Sequence, residues 1–334
     1  MPGVEFSFQD TGAGDSSGSR AWIAIAVFVT LATVGVILLV RAFGEKDGAK
    51  DEAGQPAAEE TAGTPSATPR TPGGAAPAAR APSPADMREA SETALAFMRA
   101  GEAAEKADDL YAARTNYLAA LADPGCGNAR PVAEARLGAV DIDLIFSPRR
   151  MEGKVDYAIA PGDSLKKIAN RHGTTVDLIV KGNSVPNPDR VQVGDRLRVL
   201  DRQVFEIAVS KSRNDLVVTL NGQFFKRYTV GTGKFAKTPV GTFQVTDKIP
   251  EPPWWRPDGQ VVPFGDKENI LGTRWMALAA TGDTPPAKGY GIHGTWDESS
   301  LGQQSSAGCI RMANRDVEEL FVYIPVGAKV VIGE

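Results

Sequence analysis

The stretch YGIHGTWDESSLGQQSSAGCIRM, residues 290–312, decides how the C-terminal part of this chain folds and what chemistry it can perform. It holds His293 and Cys309, the only histidine and the only cysteine of that part of the sequence. A thiol attacks as its thiolate, and an imidazole that meets it in space can take up the thiol proton. Two neighbouring strands of a sheet would permit that meeting. The alternative is a buried cysteine and a core histidine that never meet, and the spacing leaves both interpretations open.

The residues around Cys309 are compatible with a nucleophile. Gly308 lets the backbone approach a substrate carbonyl, and N–H groups at this point could stabilise an oxyanion. Arg311 lies two residues after Cys309, so in a strand its side chain would point to the same side and could bind a carboxylate. Since this part of the chain has no second histidine, His293 is the single candidate for a general base.

The sequence on both sides of this stretch predicts a β-rich domain with few helices, which we place at residues 203–334. Alternating or apolar runs are separated by Gly, Pro, Asn and Asp, and Asn221-Gly222 is a hairpin turn signal. The runs are VFEIAVS, DLVVTL, FFKRYTV, GTFQVT, RWMALAA and AKVVIG.

Residues 154–200 predict a smaller domain with the order β-α-α-β. VDYAIA alternates like a short strand, and Asp163 or Ser164 can cap the helix that follows and ends at Gly173. TTVDLIVKGN then predicts a second helix, and RLRVL predicts the returning strand.

Residues 84–148 predict an α-helical hairpin, with a break at DPGCGN. The pattern AxxxYxxAL that begins at Ala113 resembles the second helix of a tetratricopeptide repeat. A single repeat is weak support, because repeats need neighbours to bury their faces. A site for a partner protein is therefore the alternative, and a helical spacer is the favoured interpretation. A disulfide between Cys126 and Cys309 is not expected across separate domains.

The segment AWIAIAVFVTLATVGVILLV carries no charge over twenty residues and predicts a transmembrane helix, placed at residues 21–42. At about 1.5 Å per residue it spans roughly 30 Å, the thickness of a hydrocarbon core. A cleaved signal peptide is less favoured, because its apolar region is shorter and an A-x-A-like site would follow. A polar tail, residues 1–20, is expected to be disordered in the cytoplasm, and residues 43–83 form an Ala/Pro-rich linker.

Composition excludes several classes of function. The formal net charge is -4, which argues against a nucleic-acid surface. The chain has only two His and two Cys, and a zinc site needs three or four well-placed ligands, so we expect no metal and no cofactor.

Motifs of the C-terminal domain resemble the signature of the YkuD-type L,D-transpeptidase family. They are HGT (293–295), LG (301–302) and SAGCIRM (306–312), with GTG (231–233), TPVGTF (238–243) and NILG (269–272) upstream. The resemblance covers the domain from Val204 onward. It implies that Cys309 attacks the carbonyl before the terminal D-Ala of a peptidoglycan tetrapeptide stem. An amine of a second stem then resolves the thioester and gives a 3→3 cross-link.

The resemblance also implies roles for individual residues. His293 would protonate the leaving group, the Gly294 carbonyl would orient its imidazole, and the N–H groups of Gly308 and Cys309 would form the oxyanion hole. The expected substrate-binding residues are Arg311, Ser306, Tyr290 and Trp296. The chain has Ala307 where many relatives carry a basic residue or His, so substrate preference is expected to differ there.

The smaller domain resembles a LysM domain, which implies binding to N-acetylglucosamine-containing glycan. The expected contacts are Gly162, Asp163, Ser164, Leu165, Pro188, Asp189 and Val191. Both resemblances place the enzyme in the bacterial cytoplasmic membrane as a single-pass protein whose catalytic domain faces the periplasm or cell wall. The charges around the apolar segment favour the opposite orientation. Arg41, Lys46 and Lys50 follow the segment and only Arg20 precedes it, a distribution that favours a cytoplasmic C-terminus.

Other outcomes stay open at this point. The same thioester could be resolved by water, as in an L,D-carboxypeptidase, or could attach an envelope protein to the wall. A function of a different class is an inactive wall-binding scaffold, against which the intact His293, Cys309 and Arg311 argue.

Overall fold

A computed structural model describes residues 88–334 of the chain. The predicted tail (1–20), transmembrane helix (21–42) and linker (43–83) lie outside the described residues. Within residues 88–334, every helix is too short or too polar to cross a membrane.

The described part of the chain begins with three helices, one more than the predicted hairpin. They are α1 (Glu92–Lys106), α2 (Leu110–Ala122) and α3 (Arg130–Ile145). Ser91 and Asp109 cap the first two, since their side-chain oxygens accept the N–H of Ala94 and of Ala112. The predicted break at 123–128 separates α2 from α3.

The next segment has the predicted β-α-α-β order. It consists of β1 (Lys154–Ala158), α4 (Leu165–His172), α5 (Val176–Gly182) and β2 (Arg196–Leu200). The strands pair antiparallel, and a small core of its own includes Ile168, Ile179 and Val199. Gly173 ends α4 in the left-handed conformation, with φ 64°.

The rest of the chain is β-rich, as predicted, around an eight-stranded mixed sheet in the order β13-β11-β10-β7-β14-β3-β4-β5. The sheet strands are β3 (Phe205–Ser210), β4 (Asp215–Leu220), β5 (Gln223–Thr229), β7 (Gly241–Pro250), β10 (Arg274–Ala280), β11 (Gly291–Thr295), β13 (Ile310–Ala313) and β14 (Lys329–Gly333). Two short pairs lie beside it, β6 (Thr232–Gly233) with β12 (Gln304–Ser306) and β8 (Trp254–Trp255) with β9 (Val261–Val262). One helix, α6 (Asn314–Tyr323), follows β13.

Helix α3 packs onto the edge strand β5 of this sheet, and α1 and α2 pack in turn against α2 and α3. Arg227 of β5 forms an ion pair with Glu134 of α3 at 2.9 Å. The helices and the sheet share one hydrophobic core, in which the ring of Phe225 lies 5.3 Å from each of Phe205 and Tyr323. The favoured interpretation of this region as a spacer is therefore wrong, because its apolar side covers a sheet edge.

The β-α-α-β segment contacts the large domain through α6. The hydroxyl of Thr175, which caps α5, donates to the carbonyl of Val322. At the same helix end, the Lys248 ammonium donates to the carbonyls of Phe321 (2.5 Å) and Ile324 (2.8 Å). These cationic contacts at a helix C-terminus are favourable.

We expect Phe225→Ala to lower the free energy of unfolding by about 3–5 kcal/mol, because the ring is fully buried in the core that the helices and the sheet share. Urea unfolding followed by tryptophan fluorescence measures this. Phe235→Ala is the matched control, since Phe235 is 90% exposed and should change stability by less than about 0.5 kcal/mol. Equal effects of the two variants would contradict a core that spans helices and sheet.

Candidate active site

Parallel pairing of β11 with β13 brings the predicted catalytic residues together. The register aligns His293 with Arg311, and Cys309 lies two residues before Arg311. Aligned residues of neighbouring parallel strands point to the same face, and side chains alternate along each strand. His293, Arg311 and Cys309 therefore share one face of the sheet.

That face forms the wall of a cavity of about 450 Å³. Its lining is mostly apolar and includes Trp254, Trp255, Trp275, Ile270 and Leu271 beside the polar residues His293, Ser306, Cys309 and Arg311. An apolar cavity with a few convergent polar groups is the usual form of a catalytic site.

The imidazole of His293 is held in one orientation. Its Nδ1 lies 2.6 Å from the carbonyl oxygen of Gly294, an acceptor, so Nδ1 carries the proton and Nε2 is left for proton transfer. The indole of Trp275 stacks on the ring at 5.7 Å between centroids. The structure thus gives Gly294 the contact expected of an orienting carbonyl.

Burial determines the charge of this imidazole. His293 is 2% exposed, and burial lowers its pKa to about 4, with a contribution from the positive charge of Arg311. Hydrogen bonding to the backbone at Gly294 and Leu271 opposes that shift only in part. The imidazole is therefore neutral at pH 7, which is the form that a general base requires.

The Cys309 thiol is half-buried and donates to the carbonyl of Gly289 at 3.5 Å. Burial raises the pKa of this thiol, while the backbone at Gly291 and the charge of Arg311 act in the opposite direction. The resting site therefore has a neutral thiol and a neutral imidazole in the wall of one cavity. The thiolate forms when the imidazole accepts the thiol proton during attack.

Residues 306–309, here called the nucleophile loop, depart from one expectation. The Gly308 N–H donates to Ser306 Oγ at 3.0 Å, and this hydroxyl donates to the Cys309 carbonyl at 2.7 Å. The predicted oxyanion role of the Gly308 N–H is therefore wrong for this geometry, because that donor is already used. Ser306, expected to bind substrate, does line the cavity, and its hydroxyl also braces the loop.

Gly308 has a different function. Its φ is +141°, and a Cβ added there would lie 2.8 Å from the ring of Tyr290. Only glycine adopts this conformation without strain, and only glycine fits beside that ring. Tyr290 thus packs behind the nucleophile loop and is not part of the cavity wall.

The remaining predicted pocket residues have different outcomes. Arg311 lines the cavity, and its Nε is buried without a hydrogen-bond partner among residues 88–334. Trp296 is 56% exposed, contacts Phe264 and lies outside the cavity wall, so its predicted position in the pocket is wrong.

The sequence analysis missed the hairpin of β8 and β9, which supplies Trp254 and Trp255 to the cavity. Asn269, 1% exposed, holds the base of this hairpin: its amide donates to the carbonyls of Pro252 (2.9 Å) and Val262 (3.2 Å). The signal was a Trp-Trp pair preceded by two prolines in an otherwise polar loop.

Three of the expected glycan contacts have internal roles in this structure. The Asp163 carboxylate accepts from the Tyr157 hydroxyl at 2.6 Å, the Ser164 hydroxyl caps α4, and Leu165 is 3% exposed in the core. The Asp163 carboxylate and the Leu165 side chain are therefore engaged within the domain, whereas Ser164 is exposed. Gly162 and the loop residues Pro188, Asp189 and Val191 are at least partly exposed.

The fold and site define a class of protein: a cysteine enzyme with a histidine base on a mixed β-sheet, joined to a small β-α-α-β domain. Residues 205–332 match the L,D-transpeptidase catalytic domain, YkuD, and residues 157–199 match the LysM domain. The chain belongs to the YkuD family of L,D-transpeptidases.

Named relatives agree with this assignment. The putative L,D-transpeptidase YqjB of Bacillus subtilis is 42% identical over 127 residues, which cover 38% of this chain and 69% of the relative. The putative L,D-transpeptidase YkuD of Bacillus licheniformis is 32% identical over 182 residues, which cover 53% of this chain and 97% of the relative.

The lowered pKa of His293 predicts an unusual pH dependence. Because the imidazole stays neutral down to about pH 5, acylation of Cys309 by a carbapenem should keep a constant rate from pH 7.5 to 5.5. An imidazole with the ordinary pKa of about 6.5 would lose about tenfold over that range. Acylation rate constants, measured by mass spectrometry of the adduct, distinguish the lowered pKa from the ordinary one. A tenfold fall by pH 5.5 would show that burial does not lower the pKa of His293.

Proposed function

We propose that this enzyme forms 3→3 cross-links between peptidoglycan stem peptides. The neutral thiol–imidazole pair in an apolar cavity carries the proposal. Cys309 Sγ attacks the carbonyl that joins the third stem residue to D-Ala, and His293 Nε2 takes the thiol proton. The C–N bond breaks, His293 returns the proton to the leaving amine of D-Ala, and a thioester remains. An amine of a second stem attacks the thioester, His293 accepts its proton, and the thiol is regenerated.

The cavity supports an amine rather than water as acceptor. Its wall is mostly apolar, with the side chains of Trp254 and Trp255 on one hairpin near the thiol. Exclusion of water protects a thioester from hydrolysis until a second stem binds. The unpaired Nε of Arg311 in the same wall is a donor for a carboxylate of the stem.

In this proposal the LysM domain holds the enzyme on the glycan strand and so raises the concentration of stem peptide near Cys309. The contacts of the LysM domain with α6 support this proposal. They pack the domain on the catalytic domain, so the two are not joined by a flexible linker alone. Gly162, Ser164 and residues 188–191, which are at least partly exposed, are the remaining candidates for glycan contact.

We place the catalytic domain outside the cytoplasm, anchored by residues 21–42, because its proposed substrate is there. The charges around the apolar segment favour the opposite orientation, and long domains are translocated against such a bias. An alkaline phosphatase fused after Glu334 should be active in cells. An inactive fusion that is fully expressed would place the C-terminus in the cytoplasm and reject this location.

A partner protein at the N-terminal helices has less support. Their apolar side chains belong to the core that they share with the sheet, and the exposed apolar side chains that remain, such as Tyr111 and Val132, are scattered. We therefore propose that these helices stabilise the catalytic domain.

The detergent-solubilised full chain, given tetrapeptide muropeptides, should release D-Ala and form 3→3 dimers that mass spectrometry detects. Cys309→Ala should abolish both products, because no thioester can form. Cys126→Ala is the matched control: it removes the other thiol, which is buried among the helices, and should leave the rate unchanged. Tripeptide monomers without dimers would reject cross-linking in favour of hydrolysis, and activity in Cys309→Ala would reject the nucleophile.

A further inference from the structure

Thr238 binds the nucleophile loop on the side that faces away from the cavity. Its side chain is 1% exposed, and its hydroxyl accepts the Gly233 N–H at 2.7 Å and donates to the Gly308 carbonyl at 2.8 Å. Thr238 comes from the segment before β7, seventy positions away in the sequence, and it is not part of the cavity wall. Cys309 is part of that wall.

The carbonyl that Thr238 binds belongs to the same peptide group as the N–H of Cys309. The described chain contains no cis peptide bond, and in a trans peptide group the C=O and the N–H point in opposite directions. A hydrogen bond that turns the Gly308 carbonyl toward Thr238 therefore turns the Cys309 N–H away from Thr238, toward the cavity side of the loop.

Hydroxyl groups bind the other polar backbone atoms of Gly308 and Cys309. Ser306 binds the Gly308 N–H and the Cys309 carbonyl, and Thr238 binds the Gly308 carbonyl. The polar group left to face a reacting carbonyl is the Cys309 N–H. We propose that Thr238 is a positioning residue that orients the Cys309 N–H as the oxyanion donor. This inference rests on the proposed acyl transfer, in which the attacked carbonyl becomes an oxyanion.

The local packing suits this role. A Cβ on Gly233 would lie 2.7 Å from the Thr238 nitrogen and 2.9 Å from the Gly308 Cα, so a glycine is needed for the segments to approach. The hydroxyl must accept one hydrogen bond and donate another, which serine can also do and valine cannot. Valine has nearly the shape of threonine, so Thr238→Val removes the hydroxyl while it keeps the volume.

The test compares two reactions of the same thiol in the detergent-solubilised full chain. Acylation by a carbapenem passes through an oxyanion, whereas alkylation by iodoacetamide displaces iodide and forms none. Both adducts at Cys309 are followed by mass spectrometry. We expect Thr238→Val to lower the acylation rate constant by about 10–100-fold and to change alkylation by less than about twofold. Thr238→Ser should restore most of the acylation rate.

Thr232→Val is the matched control. Thr232 is fully buried close by, and its hydroxyl donates to Asn214 Oδ1 at 3.0 Å and not to the nucleophile loop. It should lose a similar buried hydrogen bond and keep wild-type acylation. Thr238→Ala is a second variant without the hydroxyl, in case the valine variant does not fold.

Distinct results overturn distinct claims. Unchanged acylation in both hydroxyl-free variants of Thr238 would reject the positioning role. An equal fall of acylation and alkylation would also reject it, because the loss would then lie in the thiol or in the order of the loop. A wild-type protein that reacts with iodoacetamide and resists the carbapenem would reject the proposed acyl transfer itself.

Discussion

The parallel pairing of β11 with β13 is the interaction on which the site depends. Its register puts His293 beside Arg311 and sends their side chains to the face that Cys309 occupies. Side chains alternate along a strand, so a slip of one residue would turn the base to the other face and separate it from the thiol. Backbone hydrogen bonds, and not a contact between the catalytic side chains, therefore determine that base and nucleophile meet.

Once the pair is on one face, burial sets its charge. The pKa of His293 falls to about 4 and that of Cys309 rises, both chiefly because burial disfavours the charged forms. The pair is therefore uncharged before the substrate arrives, and the proton moves only as the carbonyl is attacked. The orienting group fits this state, since the Gly294 carbonyl fixes the tautomer without adding a negative charge that would favour the imidazolium.

The sequence predicted the parts of the site that are close together in the chain. His293, Gly294 and Cys309 lie in one motif, and their arrangement follows from two short strands. Two of the predictions that failed concern the Gly308 N–H and the N-terminal helices. They failed because the outcome depends on competition for a hydrogen bond or on contacts between distant residues. Ser306 takes the Gly308 N–H, and no residue pattern shows which acceptor wins. The core that the N-terminal helices share with the sheet is likewise made by tertiary contacts, which the helical periodicity of the sequence cannot predict.

Helix α6 connects the base to the glycan-binding domain. At its start, Asn314 Oδ1 accepts the Thr273 N–H at 3.1 Å and lies where any side chain at position 294 would stand, so position 294 must be glycine. At its end, the carbonyl of Val322 accepts from Thr175 of the LysM domain. One helix of ten residues therefore fixes the residue that orients the imidazole and also bears the wall-binding domain. The position of the LysM domain relative to the thiol is therefore set by packing and not by a flexible linker.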